Sequence, residues 1–427
     1  MTVNLITLGC SKNLVDSERL LAQLRARGYQ VMHNDYEKQA RVVILNTCGF
    51  ILDAKEESID AILEQIAQKK AGKVERIFVM GCLSERYRAE VQAEMPEVDG
   101  FFGVWDFPAI MKAMGSSLDQ KLLLERELAT PGHYAYLKIS EGCLRSCAFC
   151  AIPGIRGTQQ SLSINDLVKE SQALAAKGVK ELILIAQDLT NYGLDLYRYR
   201  ALPELLKALV KIEGIHWIRL HYAYPSGFPE EVIELMSREK KICNYLDIPI
   251  QHVNDEVLQA MGRGHNREQL DRLLNRFRRQ IPDLAIRTTI LSGFPGEREE
   301  AHRELLEYIK DFRFDRLGVF SYSHEEDTPA YARYSDNIPS GVKMARAAEI
   351  MELQQTISLE LNESKIGKTY EVLIDRVEAD YYIGRTAYDS PEVDNEILIH
   401  ASAELEIGEF YQVKMTGADA FDLYGKI

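Results

Sequence analysis

Three cysteines stand within eight residues of one another, at Cys143, Cys147 and Cys150. They follow an apolar strand candidate. Three thiolates can hold three irons of a cubane and leave the fourth iron open, whereas a ferredoxin closes its cluster with a fourth cysteine, and none lies nearby. Zinc is the main rival, but it would need a fourth nitrogen or sulfur ligand, for which the nearest candidate is His133. We therefore expect an iron–sulfur cluster, with zinc or plain thiols as the alternatives.

Three further cysteines, Cys10, Cys48 and Cys82, each follow an apolar run in the N-terminal part of the chain. One such residue alone would be interpreted as a small buried hydrophobe, because free cysteine is among the most buried residue types. Three at equivalent strand ends favour a second cluster, since ligand sites in parallel sheets form beyond the carboxyl ends of the strands. We name them the N-terminal cysteines. The remaining Cys243 has no partner motif and is expected to be a core or free thiol.

The elements that must position the N-terminal cysteines alternate regularly. Apolar runs, each followed by a helical pattern or a turn, cover residues 3–8, 42–45 and 77–80. The second helix is predicted to place on one buried face Ile59, Ile62, Leu63 and Ile66. Continuous apolar runs alternating with amphipathic helices are typical of a parallel sheet covered on both faces. We predict an open parallel α/β domain over residues 1–120.

The central region repeats a strand-and-helix unit six times. Its strand candidates are Tyr136–Ser140, Glu181–Ala186, Trp217–His221, Tyr245–Ile250, Ile286–Leu291 and Leu317–Ser321. Six such units favour an open or partial (β/α)6 barrel over residues 130–361, with polar groups collecting at the strand ends. The strand-end residues include Gln187, His221, Tyr222, Gln251 and Gly293.

The pattern changes near the C-terminus to short alternating segments separated by Gly, Asp and Pro. These segments are Tyr370–Ile374, Tyr381–Arg385, Glu396–Ile399 and Phe410–Met415. They predict a small antiparallel β-barrel over residues 364–427, so the fold class of the whole chain is α/β with an added barrel. This segment carries 6 Lys and Arg against 13 Asp and Glu, which is half of the chain's formal net charge of −14. The excess predicts either a solvated acidic face or a surface for a basic protein.

Together these patterns resemble the radical SAM superfamily, in which a Cys-x3-Cys-x2-Cys sequence binds a cluster on a partial barrel. The chain is similar to the methylthiotransferases through the segments around its N-terminal cysteines, Leu8–Asn13, Asn46–Phe50 and Gly81–Leu83. The resemblance runs nearly end to end and closes with a TRAM-like C-terminal domain. Segments that match the RimO-type branch best are Lys12–Glu18, Tyr245–His252 and Asp389–Asp394.

The resemblance implies a transferase whose cofactors are two 4Fe–4S clusters and S-adenosylmethionine. Cys143, Cys147 and Cys150, the radical-site cysteines, would hold the cluster that, once reduced, cleaves S-adenosylmethionine to a 5′-deoxyadenosyl radical. The N-terminal cysteines would hold the cluster that donates the sulfur. The resemblance also implies contacts with S-adenosylmethionine from Phe149, Gln187, Gln251, Gly293 and Gly296. For the glycines an ordinary strand-to-helix turn is the alternative interpretation, and Phe149 could instead shield the cluster.

The RimO-type branch implies transfer of a methylthio group to the β-carbon of an aspartate in a small-subunit ribosomal protein. A hydrocarbon position has neither a leaving group nor a useful acidic proton, so radical chemistry at a cofactor is needed. The implied partners are this ribosomal protein, free or in the ribosome, and an electron donor such as flavodoxin or ferredoxin.

Two other functions stay open at this point. The tRNA-adenosine branch of the same family would use the TRAM-like domain to bind RNA, but the acidic C-terminal segment makes tRNA a poor partner. A two-cluster electron-transfer protein without catalysis is the second alternative. The chain has no apolar stretch of the roughly 20 residues that a membrane helix needs, and its first residues do not resemble a secretion signal. We therefore expect a cytoplasmic protein without membrane contact.

Overall fold

In the computed structural model, which describes residues 1–401 and 404–427, the chain divides into two units. The first unit comprises Met1–Thr130, Tyr136–Arg145 and Ala151–Gln160. The second unit comprises Pro131–Ala135, Ser146–Cys150 and Ser161–Ile427. The domain bounds expected from the sequence stay predictions. No helix in the described part of the chain is long and apolar enough to cross a membrane.

The first unit is built on a five-stranded parallel sheet, as its alternating pattern predicted. Its strands are β1 (Thr2–Thr7), β2 (Gln30–His33), β3 (Val42–Thr47), β4 (Arg76–Gly81) and β5 (Gly100–Phe101). The order is β2-β1-β3-β4-β5, and every pair is parallel. All six residues of β3 are buried, because a central strand is covered on both faces. The prediction missed β2 and β5, which are only half-buried and therefore lack a continuous apolar run.

Helices cover this sheet and bury one face each. They are α1 (Ser11–Ala26), α2 (Leu52–Lys70), α3 (Cys82–Arg86), α4 (Arg88–Glu94) and α5 (Phe107–Ala113). In α2, Ile62 and Ile66 are buried, but Leu63 is 49% exposed. The prediction that Leu63 shares the buried face was wrong, because the residue directly after Ile62 lies about 100° around the helix from it.

The central region forms a six-stranded sheet. Its strands are β6 (Tyr134–Lys138), β9 (Glu181–Ile185), β10 (Trp217–Leu220), β11 (Ile242–Asp247), β12 (Ala285–Ser292) and β13 (Arg316–Ser321), while the short β7 (Ser140–Glu141) and β8 (Gln160–Ser161) pair separately. The order β13-β12-β11-β10-β9-β6 follows the chain, as the predicted (β/α)6 arrangement requires. The helices of this region are α6 (Ile152–Arg156), α7 (Ile164–Ala176), α8 (Leu194–Tyr197), α9 (Leu202–Leu209), α10 (Glu230–Arg238), α11 (Asp255–Ala260), α12 (Arg267–Gln280), α13 (Glu299–Phe312), α14 (Pro329–Arg333) and α15 (Ser340–Glu363).

The C-terminal segment closes into a five-stranded barrel, which confirms the predicted fold. Its strands are β14 (Thr369–Glu378), β15 (Tyr381–Thr386), β16 (Ile397–His400), β17 (Phe410–Ala418) and β18 (Leu423–Lys426). The closed order is β14-β15-β16-β18-β17. Four of its pairs are antiparallel, but β16 and β18 run parallel, an arrangement that the sequence did not predict.

Candidate functional site

The N-terminal cysteines lie at the carboxyl ends of β1, β3 and β4, which are neighbours in the sheet. Cys10 precedes the first residue of α1, Cys48 directly follows β3, and Cys82 is the first residue of α3. The Ser58 hydroxyl accepts a hydrogen bond from the Cys48 N–H (3.1 Å) and donates one to the Cys48 carbonyl (3.0 Å). The structure therefore brings the three thiols of this group to one edge of one sheet, which is where ligand sites form in such sheets.

Close backbone packing around these cysteines requires glycine. Gly9 has φ +87°, and a Cβ added there would lie 2.7 Å from Cys48 Cβ and 3.2 Å from Cys48 Sγ. A Cβ on Gly49 would lie 2.7 Å from the backbone nitrogen of Leu83. Any larger residue at these positions would force the strand ends apart, so the glycines keep the thiols together.

The buried thiols of this site resist ionisation while they are free. Burial raises the pKa of Cys82 to about 12, although Arg156 opposes the shift, and the neighbouring Cys10 and Cys48 add to it. Burial also raises the pKa of Cys48, and negative charge on Cys10 raises it further. Negative charge on a neighbouring thiol therefore adds to the effect of burial at both Cys48 and Cys82.

Arg156 is the cation that faces the N-terminal cysteines. Its Nε donates a hydrogen bond of 3.3 Å to Cys82 Sγ, and its Nη2 donates to Asn13 Oδ1. Its Nη1 lies 2.7 Å from Glu141 Oε2 and 3.4 Å from Asp16 Oδ2. The guanidinium is almost fully buried, so its orientation is fixed and it can stabilise negative charge on sulfur.

A second buried cation completes the charge balance around Arg156. Lys138 Nζ lies 2.8 Å from Glu141 Oε2 and also pairs with Asp16. Although burial would raise the pKa of Glu141, Lys138 and Arg156 hold it well below its ordinary value. Each of the two cations pairs with both Asp16 and Glu141, which compensates their burial beside the cysteines.

Asn13 ties two of the cysteine-bearing strand ends together. Its Nδ2 donates hydrogen bonds to the carbonyls of Leu8 (3.0 Å) and Thr47 (3.1 Å), and the side chain is fully buried. Its Oδ1 is 4.0 Å from Cys82 Sγ. The amide thus contacts the ends of β1 and β3 together with the thiol that follows β4.

The radical-site cysteines lie in the loop after β7, where the chain passes from the first unit to the second. In the first unit, the Cys143 N–H donates to the Gly157 carbonyl (3.1 Å), and Cys143 Sγ accepts from the Arg145 N–H (3.3 Å). In the second unit, the Cys150 N–H donates to the Cys147 carbonyl (3.1 Å). Backbone hydrogen bonds therefore fix the chain at each of the three thiols.

Cys147 has two polar neighbours within the second unit. Its Sγ lies 3.4 Å from Arg263 Nη1 and 3.6 Å from Tyr224 Oη. The Tyr224 hydroxyl donates to the Arg263 carbonyl (2.6 Å), and the Arg263 guanidinium lies 4.1 Å above the Tyr224 ring. As at Cys82, a buried arginine lies beside a buried thiol.

Phe149 packs into an apolar cluster of the second unit. It contacts the group of buried residues that contains Ala148, Met261 and Phe294. The Ala148 N–H donates to the Met261 carbonyl (2.8 Å), and the Ala148 carbonyl accepts from the Ala330 N–H (2.7 Å). Packing of this kind fits the interpretation of Phe149 as a shield beside the cysteines, and its contact with S-adenosylmethionine stays a prediction.

The other predicted contact residues follow the strands of the central sheet. Gln187 follows β9, and Gln251 follows β11 with φ +70°, a left-handed conformation that is unusual for a residue with a side chain. The Gln251 N–H donates to the Thr289 carbonyl (2.9 Å). Strained backbone at the end of a strand is common at functional sites, which supports a pocket here.

Gly293 is held by a buried ion pair. Its N–H donates to Glu297 Oε2 (2.6 Å), and Glu297 Oε1 lies 3.0 Å from Arg346 Nη1. A Cβ on Gly293 would lie 2.4 Å from Lys343 Cγ, whereas one on Gly296 would meet no atom within 4 Å. Packing alone explains the glycine at position 293. At position 296, by contrast, only the positive φ of +91° favours glycine.

Sequence reasoning missed the charged partners of both sites. Arg156, Arg263, Glu297 and Arg346 lie outside the cysteine motifs, and no local pattern marks them. No group of three or more His, Cys, Asp or Glu side chains in residues 1–401 and 404–427 has the geometry of a single-metal-ion site.

Family models match three segments of the chain. Residues 2–103 match uncharacterized protein family UPF0004, residues 137–309 match the radical SAM superfamily, and residues 366–427 match the TRAM domain.

Several curated proteins are similar to the chain over its whole length. The ribosomal protein uS12 methylthiotransferase RimO of Christiangramia forsetii is 54% identical, over 99% of this chain and 94% of that protein. The protein of the same name from Flavobacterium psychrophilum is 55% identical, over 99% and 97%. The one from Bacteroides thetaiotaomicron is 50% identical, over 100% and 98%.

Solved structures share the fold at low identity. The radical S-adenosylmethionine methyltransferase TsrM from Kitasatospora setae superposes with a TM-score of 0.56 at 14% identity, over 77% of this chain and 73% of that one. The cobalamin-dependent S-adenosylmethionine radical enzyme OxsB superposes with a TM-score of 0.51 at 14% identity, over 83% and 57%.

Proposed function

Because the chain belongs to the family of ribosomal protein uS12 methylthiotransferases, we propose that it transfers a methylthio group to the β-carbon of an aspartate in that small-subunit ribosomal protein. One observation carries the proposal: two groups of three cysteines, spaced as the family requires, stand in a chain that is 50–55% identical to these enzymes over nearly its whole length. A radical S-adenosylmethionine enzyme needs one cluster, and the second group of cysteines supplies the site for the sulfur.

The N-terminal cysteines fit a 4Fe–4S cluster as ligands. Three thiols from three neighbouring strand ends can bind three irons and leave one iron for the sulfur that is transferred. Arg156 donates to Cys82 Sγ at 3.3 Å, and a hydrogen bond of this kind stabilises negative charge on a ligand sulfur. Asn13 fixes the backbone at Leu8 and Thr47, and Ser58 fixes it at Cys48, so the ends of two of the three strands are held in place.

The radical-site cysteines fit a second cluster by their spacing and by the environment of Cys147. Arg263 lies 3.4 Å from Cys147 Sγ and would offset the charge of the thiolate. When bound and reduced, this cluster supplies the electron that cleaves S-adenosylmethionine. Phe149, Gln187, Gln251, Gly293 and Gly296 would line the site for S-adenosylmethionine at the carboxyl ends of the central strands.

The C-terminal barrel supports a protein substrate over tRNA. Its outer face carries exposed acidic residues, among them Glu378 and Asp380. A phosphate backbone would be repelled by such a face, whereas a basic ribosomal protein would be attracted to it. Three acidic side chains of the barrel already have cationic partners: Glu371 pairs with His216, Asp375 with Arg385 and Glu378 with Arg376.

The remaining partners follow from this chemistry. An electron donor such as flavodoxin or ferredoxin would reduce the radical-site cluster, and the substrate would be met in the cytoplasm, where ribosomes assemble.

Reconstituted enzyme tests the proposal directly. The protein would be supplied with iron, sulfide, a chemical reductant and S-adenosylmethionine, and incubated with purified small-subunit ribosomal protein or with tRNA. We expect 5′-deoxyadenosine together with a methylthiolated aspartate in the protein, identified by peptide mass spectrometry. Methylthiolated tRNA with an unmodified protein would overturn the proposed substrate, and electron transfer without cleavage of S-adenosylmethionine would overturn the proposed reaction.

A further inference from the structure

The loop between β15 and β16, residues 387–396, lies against the strands of the central sheet within the second unit. It contains the segment Asp389–Asp394, which the family resemblance singles out and to which the proposed chemistry gives no role. Asp389 and Ser390 are buried, and so is the carboxylate of Asp394. A surface loop would not bury two carboxylates unless partners compensated them.

The Asp394 carboxylate joins three elements. Its Oδ2 accepts hydrogen bonds from the Tyr245 hydroxyl (2.7 Å) and from the Ser390 N–H (2.9 Å), and its Oδ1 lies 3.3 Å from Arg287 Nε. Arg287 Nη1 in turn lies 3.5 Å from Asp247 Oδ1. The two carboxylates flank one guanidinium, and together they keep the pKa of Arg287 above its ordinary value although burial opposes this.

Further ion pairs fix the base of the same loop. Asp389 pairs with Arg316, the first residue of β13, and accepts a hydrogen bond from the Thr386 hydroxyl (2.7 Å). Arg219 Nη1 donates to the Ala387 carbonyl (2.8 Å). The loop is therefore anchored at both ends by charges from the central strands, and its position is set by the sheet.

Two lines of contact from this loop converge on neighbouring residues at the carboxyl end of β10. The Ser390 hydroxyl lies 2.8 Å from His221 Nε2. Through Arg287, Asp394 holds Asp247, whose Oδ2 accepts from the Tyr222 N–H (3.3 Å). Tyr222 has φ +64°, and such a left-handed conformation persists only when its surroundings fix it.

The same segment reaches the radical-site cysteines two residues later. The Ala223 N–H donates to the Asp247 carbonyl (2.8 Å), and Tyr224 Oη lies 3.6 Å from Cys147 Sγ. The segment from His221 to Tyr224 is thus held by the loop at one end, and at the other end its Tyr224 side chain contacts a proposed cluster ligand.

We propose that the β15–β16 loop is a positioning element of the radical site, in which Ser390 and Asp394 fix the segment His221–Tyr224 and thereby seat Tyr224 against Cys147. Its catalytic consequence rests on the proposed function, while the positioning itself does not. The C-terminal barrel then has a second role besides substrate recognition, because its β15–β16 loop holds a segment that contacts Cys147. Ser390 and Asp394 act through other residues and are positioning residues.

The test compares three variants of the full chain. Ser390→Ala removes the hydrogen bond to His221, and Ser390→Thr keeps a hydroxyl there. Ser358→Ala is the matched control, because Ser358 is similarly buried and donates to the Ala420 carbonyl (2.7 Å) far along the chain from the segment. Should Ser390→Ala not fold, Tyr245→Phe removes one hydrogen bond to Asp394 with little change of volume.

Two readouts decide the outcome. Without substrate, hydrogen–deuterium exchange of the Tyr222 and Ala223 amides should rise about tenfold in Ser390→Ala or Tyr245→Phe, the effect of one ordinary hydrogen bond. With substrate, kcat should fall about tenfold or more while KM for the ribosomal protein stays unchanged, because misplacement near the reacting groups affects the chemical step. Ser390→Thr should restore both values, and Ser358→Ala should change neither.

Exchange at these amides that matches the Ser358→Ala control would overturn the positioning role. An increase in KM at constant kcat would also overturn it, since the loop would then only bind substrate. If the parent enzyme modifies no ribosomal protein, the proposed function fails, yet the exchange measurement still decides whether the loop holds the segment.

Discussion

Arg156 Nε donates a hydrogen bond of 3.3 Å to Cys82 Sγ, although the two residues are 74 positions apart in the chain. The contact places a fully charged, buried guanidinium against the thiol that follows β4. Cluster ligation turns that thiol into a thiolate, so the arginine should matter more for cluster retention than for folding alone.

The first prediction compares Arg156→Gln with Arg126→Gln. Arg126 is equally buried in the same unit and pairs with Glu18, away from the cysteines. Each substitution should lower the free energy of unfolding by about 3–5 kcal/mol, the cost of leaving a buried carboxylate unpaired. Only Arg156→Gln should also lose the N-terminal cluster, so iron per folded chain should fall by about half. Equal iron content in both variants would show that Arg156 serves only the fold.

The second prediction separates the two groups of cysteines. Replacing Cys143, Cys147 and Cys150 with Ala should abolish 5′-deoxyadenosine formation and remove about half of the iron. Replacing the N-terminal cysteines with Ala should remove a similar amount of iron and stop methylthio transfer. Cleavage of S-adenosylmethionine should then persist, because the radical-site thiols are unchanged. Loss of cleavage in a folded N-terminal triple variant that retains its other cluster would refute this division.

A third prediction distinguishes the two glycines expected to contact S-adenosylmethionine. Both have positive φ, so Ala at either position should cost about 1–2 kcal/mol of stability. Gly293→Ala should cost about 1–3 kcal/mol more, because its Cβ would lie 2.4 Å from Lys343 Cγ. Gly296→Ala should fold well and bind S-adenosylmethionine several-fold more weakly. Chemical denaturation and ligand titration measure the two effects, and unchanged binding would remove Gly296 from the contact residues.

The fourth prediction concerns acid stability. Burial, helped by the neighbouring His302 and Arg346, lowers the pKa of His252 to about 3. An unfolded histidine titrates near pH 6.5, so the unfolded state binds more protons in the window between about pH 6.5 and 3. Stability should be complete above that window and fall as the pH drops through it, by up to about 1.4 kcal/mol per pH unit. Urea denaturation across this range should show a shallower slope in His252→Gln than in the parent.

The exposed His400 provides the control for that measurement. His400→Gln should leave the slope of stability against pH as it is in the parent. If His252→Gln kept the parent slope as well, the acid sensitivity would have to come from other groups, and burial of neutral His252 would not contribute.

Buried strands and the two groups of cysteines could be predicted from local patterns in the sequence. Strands β3 and β4 are buried on both faces and therefore appear as continuous apolar runs, whereas β2 is half-buried and was missed. The parallel pairing of β16 with β18 was missed because β18 is four residues long and contains Gly425. All six cysteines of the proposed clusters could be singled out from local patterns. The radical-site cysteines form a closely spaced motif, and each N-terminal cysteine follows an apolar run.

Contacts between polar side chains that are far apart in the sequence could not be predicted from local patterns. Ser390 meets His221 across 169 positions, and Arg156 meets Asp16 across 140, and neither pair leaves a periodic signal in the sequence. Asp375 lies in the acidic C-terminal segment, but it pairs with Arg385 and His133. Pairing of this kind depends on where the strands bring distant residues together, which only the folded chain shows.

Mass spectrometry of cells lacking this chain tests the central claim most directly. Small-subunit ribosomal proteins and tRNA would be compared between parent cells, cells without the protein, and cells complemented with the parent chain or with the N-terminal triple cysteine variant. The account predicts that a methylthiolated aspartate in ribosomal protein uS12 disappears without the protein and returns only with the parent chain, while tRNA modification is unchanged. An intact uS12 modification, or the loss of methylthiolated adenosine from tRNA instead, would contradict it.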